Sequence, residues 1–108
     1  MTTAGPLSCV VALTTCATHA EATTIATALV DERLVACVNI IPTVESIYRW
    51  ENRLCHETEW LLMMKLPQSN CPALKNRLPA LHSYECPELI IVSITDGLPA
   101  YLQWVGTP

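Results

Sequence analysis

Glycine is scarce in this chain. There are three in 108 residues, too little material for a phosphate-cradling loop, and neither a G-x-S-x-G elbow nor an H-E-x-x-H helix occurs. Charge is scarce too: 15% of residues are charged, against about a quarter in an average domain. Six basic and ten acidic residues give a net charge of −4 with no basic cluster, so nucleic acid and anionic membranes are poor partners. No apolar run approaches the eighteen or so residues of a membrane helix. The opening stretch "MTTAGPLSCVVALTT" lacks the positive region and long apolar core of a secretory signal, so the chain reads as cytoplasmic. Catalysis finds no support in these absences, and the expectation is a protein that is not an enzyme.

What is present is apolar. Hydrophobic residues make up 51% of the sequence, which places residues 1–108 as one globular domain. A small domain with so few charges fits a chain that hides part of its surface in an oligomer. Six cysteines (Cys9, Cys16, Cys37, Cys55, Cys71 and Cys86) are spread without C-x-x-C or zinc-ribbon spacing, and without a secretory signal they are expected as thiols. Cys9 and Cys37 lie in apolar runs and read as small buried hydrophobes.

Periodicity gives six main elements. Cys9 to Thr15 is a short apolar run, expected as a central strand. Thr18 to Glu21 is a T-x-x-E capping box that opens a helix, with Ala22, Ile25, Ala26, Leu29 and Val30 on its apolar face. A β-branched and aromatic run follows, with Pro42 marking a bulge where the strand is expected to change partner. Glu51-Asn52 is a candidate two-residue turn, and Arg53 to Leu66 returns. Ser69 or Asn70 caps a second helix with Leu74, Leu78 and Leu81 as its stripe, which Pro79 should kink or shorten. Glu88 to Ile94 reads as a last buried strand, and Pro99 begins a helical turn.

The order strand, helix, strand, strand, helix, strand folds through right-handed crossovers into a ferredoxin-like α+β unit, a four-stranded antiparallel sheet with two helices on one face. One feature does not fit inside it. Val35 to Trp50 would span about 53 Å as a straight strand, whereas a compact domain of this size is only about 34 Å across. The hairpin must overshoot the core, and some of this strand must bend or lie on another molecule.

The stretch "ACVNIIPTVESIYRWEN", Glu59 and Lys65 downstream, "HSYECPEL" and "YLQW" together resemble the CutA family of divalent cation tolerance proteins. The similarity runs from about Cys9 to Trp104. The resemblance implies a homotrimer of ferredoxin-like protomers, similar in architecture to PII signalling proteins, with long hairpins paired across subunits. Three positions depart from the family pattern: Asn52 stands where Gly is usual, Ser83 where Pro is usual, and Thr14 at the position of a copper-binding Cys.

The resemblance implies His82 and Glu88 as ligands of a divalent ion such as copper or zinc, with Cys16 as a third ligand in place of Thr14. Read from the residues alone, His82 serves equally as a structural histidine at a helix end. Lys65 ends an apolar run and needs a partner, either across a subunit boundary or in a bound anion. Tyr48, Trp50, Tyr84 and Trp104 are candidates to line an intersubunit cleft, as packing or as a ligand site. Three functions follow: a metal-binding trimer that takes part in the response to metal ions, a PII-like sensor of a small anionic metabolite, or a scaffold trimer.

Overall fold

A computed structural model of the chain describes residues 8–108. Its elements run β1 (Cys9–Cys16), α1 (His19–Asp31), β2 (Cys37–Trp50), β3 (Arg53–Pro67), α2 (Cys71–Leu81), β4 (Ile90–Ser93) and α3 (Pro99–Val105), with a 3-10 turn at Gln68–Asn70 before α2. The strands form one antiparallel sheet in the order β2-β3-β1-β4. This is the ferredoxin-like order, with β3 and β1 inside.

Local signals account for the ends of α1. The Thr18 Oγ1 accepts the Glu21 N–H at 3.1 Å, which is half of the expected capping box. The Glu21 carboxylate does not return to Thr18 but accepts the Ser83 N–H at 2.7 Å, tying the helix to the loop after α2. At the other end the Arg33 N–H bonds the Val30 carbonyl and the Leu34 N–H the Leu29 carbonyl. With Arg33 at φ 60°, this is a Schellman close whose left-handed position glycine usually fills.

Alternation along β1 and β3 sends Val10, Ala12 and Cys16, and Leu62, Met64 and Leu66, to one sheet face. There they pack with Ala22, Ile25, Ala26 and Leu29 of α1 and Cys71, Leu74 and Leu78 of α2. Val30 does not join them; it is exposed, beyond the edge of the buried stripe. Pro79 does not shorten α2, which runs on to Leu81. Pro79 and Lys75, whose carbonyl loses its helical partner, both lie on the exposed side. Asn70 occupies the cap position but forms no capping bond; its Nδ2 donates instead to the Leu34 carbonyl at 3.0 Å.

The opposite sheet face is only partly covered. Short α3 sits at one end, where the Cys9 thiol approaches the Leu102 carbonyl at 3.4 Å and Val105 is buried. Val11, Leu13, Leu61 and Met63 remain half-buried. The last strand also differs from expectation. It is four residues long, and Ile90, Ile91 and Val92 are all exposed.

The hairpin overhangs as its length requires. β1 reaches β3 only from Trp60 onward, while β2 follows β3 all the way out to Arg53. The molecule measures 52 × 25 × 24 Å with a radius of gyration of 15.0 Å, above the value of about 13 Å for a compact chain of this length. The tip turn places Glu51 and Asn52 at φ 50° and 64°, the double left-handed geometry of a tight hairpin turn. The register shifts between Pro42 and Val44, so the bulge is where Pro42 predicts it. The change of partner is not: within the chain, β2 keeps β3 on both sides of the shift.

Candidate acidic cleft and its histidine

The overhanging hairpin and the loop after α2 enclose a cleft of about 340 Å³, lined by Thr15, Tyr48, Trp50, Glu57, Glu59, Tyr84, Glu85, Cys86 and Glu88. Hairpin register explains half of this wall. Glu57 lies opposite Ser46, and Glu59 opposite Val44, so both carboxylates share a face with Tyr48 and Trp50. The sequence singles out the aromatic pair but gives Glu57 and Glu59 no place beside it. Turn register across Glu51-Asn52 was the signal that places both glutamates in the cleft. Glu85 and Cys86 come from an irregular loop and carry no such signal.

The lining contains four carboxylates and no Lys, Arg or His. Both tyrosine hydroxyls are spent on carboxylates: Tyr48 donates to Glu57, and Tyr84 donates to Glu59 at 2.7 Å. Burial, then the bond to Glu59 and the charge of Glu59, push the Tyr84 phenol well above its ordinary range, so it stays a donor at any physiological pH. Burial and then the charge of Glu59 raise the Glu88 carboxyl.

His82 stands one layer behind. Its side chain is fully buried. Nε2 lies 2.8 Å from the Thr15 carbonyl, and the Tyr84 N–H reaches Nδ1 at 3.1 Å. A carbonyl can only accept and an amide can only donate, so these partners fix a neutral ring protonated at Nε2. Thr15 and Tyr84 both line the cleft, and His82 therefore braces two of its walls. The Cys16 Sγ is 3.8 Å from Nε2. Its thiol is pushed up to about 12 by burial and by Glu21 and Glu59.

The structure thus brings Cys16 and His82 together and places Glu88, Tyr48, Trp50 and Tyr84 in the adjoining cleft. Lys65 and Trp104 are elsewhere. The Lys65 Nζ donates to Tyr101 Oη at 3.1 Å, so its partner is α3 of the same chain rather than the cleft. Bonding to Tyr101 raises the Lys65 pKa, which burial opposes. Trp104 packs 5.7 Å from Tyr101 and lines a separate depression with Asp31, Arg33 and Val35. Thr14 is buried in the sheet, and its hydroxyl has no hydrogen-bond partner among the described residues. Among those residues, no three His, Cys, Asp or Glu side chains converge as a group able to hold a metal ion. None of the helices there is long and apolar enough to cross a membrane.

The sequence profile of the CutA1 divalent ion tolerance proteins matches residues 10–107. The chain is 45% identical over 95 residues to the divalent-cation tolerance protein CutA of Thermus thermophilus, covering 88% of this chain and 92% of that one. It is 41% identical over 100 residues to human protein CutA, covering 93% of this chain but 56% of that protein, so it spans little more than half of the longer human relative. Among solved structures, the Thermus thermophilus Cut A1 protein superposes with a TM-score of 0.88 at 44% identity, covering 91% of this chain and 95% of that one. A CutA from Archaeoglobus fulgidus described as periplasmic superposes with a TM-score of 0.86 at 30% identity, covering 90% and 94%. In sequence and in fold, the chain belongs to the CutA1 divalent ion tolerance family.

Proposed function

We propose that this protein acts as a homotrimer without enzymatic turnover, binding divalent metal ions such as copper or zinc as part of the response to them. The observation that carries the metal reading is the pairing of Cys16 with His82 at 3.8 Å, directly behind a cleft of four carboxylates that includes Glu88. A thiolate and an imidazole suit copper and zinc, and the negative lining concentrates cations at the entrance. Cytoplasmic residence is part of the proposal.

Binding here is weak and costs existing bonds. An ion shared with Cys16 meets His82 at Nε2, so it must displace the Thr15 carbonyl and send the ring proton to Nδ1 at the expense of the Tyr84 N–H bond. It must also displace a thiol proton held with a pKa of about 12. One proton released per ion gives an affinity that rises about tenfold per pH unit.

Calorimetry with Cu²⁺ and Zn²⁺, beside ATP and inorganic phosphate, tests the reading. Metal heats that grow with pH, and that fall sharply in Cys16→Ser and His82→Ala, are the expected result. Affinity unchanged in both variants puts the ion elsewhere. Saturable binding of the anions with no metal binding favours the PII-like sensor, and silence from all four ligands leaves the scaffold.

A further inference from the structure

Glu59 presents an unusual problem. It is only 6% exposed, yet the ion pairs among the described residues do not include it. Among the described residues its one hydrogen-bond partner is the Tyr84 hydroxyl, at Oε2. A buried carboxylate in this position calls for a positive charge. Glu59 lines the cleft, and so does Glu88, whose carboxyl is already raised by the charge of Glu59.

The rest of the lining says what kind of cation fits. Three of the chain's six aromatic residues, Tyr48, Trp50 and Tyr84, are in this one cleft. The two tyrosine hydroxyls are turned to carboxylates, leaving rings, the Trp50 indole and carboxylate oxygens as the surface a ligand meets. Rings attract cations that shed water easily, whereas a small metal ion needs several oxygen or nitrogen ligands converging at about 2 Å. No such convergence exists among the described residues. The cavity volume of about 340 Å³ lies within the usual range for small-molecule sites, roughly 300–1,000 Å³.

We propose that this cleft is a binding site for a small organic cation, an alkylammonium or guanidinium group, with its charge received by Glu59 and its body held against Tyr48, Trp50 and Tyr84. The site is distinct from the Cys16–His82 pair and does not depend on the metal reading. It takes cations of a size and softness of hydration that inorganic ions lack, and its four carboxylates, with no Lys, Arg or His beside them, repel anions.

The experiment uses the full chain in its native assembly, stripped of metal with a chelator. It is titrated by calorimetry with tetraethylammonium chloride and with methylguanidinium chloride, against sodium chloride at matched ionic strength. Saturable binding of at least one organic cation, absent for sodium, is the expected result. Glu59→Gln keeps an acceptor for Tyr84 and should weaken binding about tenfold or more, as should Trp50→Ala at the exposed tip. Glu45→Gln, on the hairpin outside the cleft, should leave it unchanged. Organic-cation binding that survives both Glu59→Gln and Trp50→Ala overturns the proposal, as does the failure of both probes to saturate by about 50 mM. Cys16→Ser should leave this binding intact, so the fate of the metal reading is decided separately.

Discussion

Two glutamates at the site titrate in opposite directions, and each makes a prediction. Partial burial pushes the Glu21 carboxyl up, but the bonds from Ser83 outweigh it and hold it below its ordinary value. Its folded pKa is then lower than its unfolded one, so its stabilisation is full above the unfolded value and is lost as pH falls through the folded value. Glu21→Gln should cost about 1–2 kcal/mol at pH 7, and the gap to wild type should close below about pH 4. Urea denaturation at both pH values and fixed protein concentration reads this directly; a gap independent of pH would sink it. Glu88 is the reverse case, since burial and Glu59 raise its pKa. The folded state then penalises its charge, so Glu88→Gln should raise stability at pH 7, with the gain fading as pH falls through the raised folded value and gone below about 4.5. At this scale the sequence was only half legible. His82 and Cys16 could be named, but the Tyr84–Glu59 bond spans 25 positions and the Lys65–Tyr101 bond 36. No local pattern announces such pairs.

Elements were most legible where a few adjacent residues settle the backbone. Thr18 caps α1, and Glu51-Asn52 closes the hairpin, because each is decided by its own side chain and its neighbours. Arg33 makes the same point by its cost. It holds the left-handed position of the Schellman close at φ 60°, where a β-carbon is unfavourable by about 1–2 kcal/mol. Arg33→Gly relieves that strain and loses part of the gain to the freer unfolded chain, so a net stabilisation of about 0.5–1 kcal/mol is expected. The midpoint of urea unfolding checks it, and a destabilised variant would show that the arginine side chain matters more than its backbone. Strand β4 was misread for a different reason. An apolar run such as "ELIIVSI" signals burial, but not whose surface does the burying. Ile90, Ile91 and Val92 are exposed on the isolated chain, and the run is consistent with a strand covered by another copy.

At the scale of the molecule, apolar surface gathers where the chain leaves its own core. Leu54 is 73% exposed on the overhang, and Ile47 joins it there. Strands β2 and β4 form the two outer edges of the sheet. Uncovered edges of this kind invite aggregation unless a defined partner takes them. Light scattering should therefore find a species of three times the chain mass at micromolar concentration, and Leu54→Arg or Ile91→Lys should shift it toward monomer. A stable monomeric wild type would refute the trimer. Strand β3 supplies an internal gauge of the same question. From Trp60 to Lys65 it is held by β1 on one side and β2 on the other, but from Arg53 to Glu59 only β2 holds it. Amide hydrogen exchange on this strand should divide near Trp60, with the inner amides reporting global unfolding and the outer amides local opening. If a neighbour covers the overhang, outer protection should grow with protein concentration while inner protection holds steady. One strand would then record, along its own length, where folding ends and association begins.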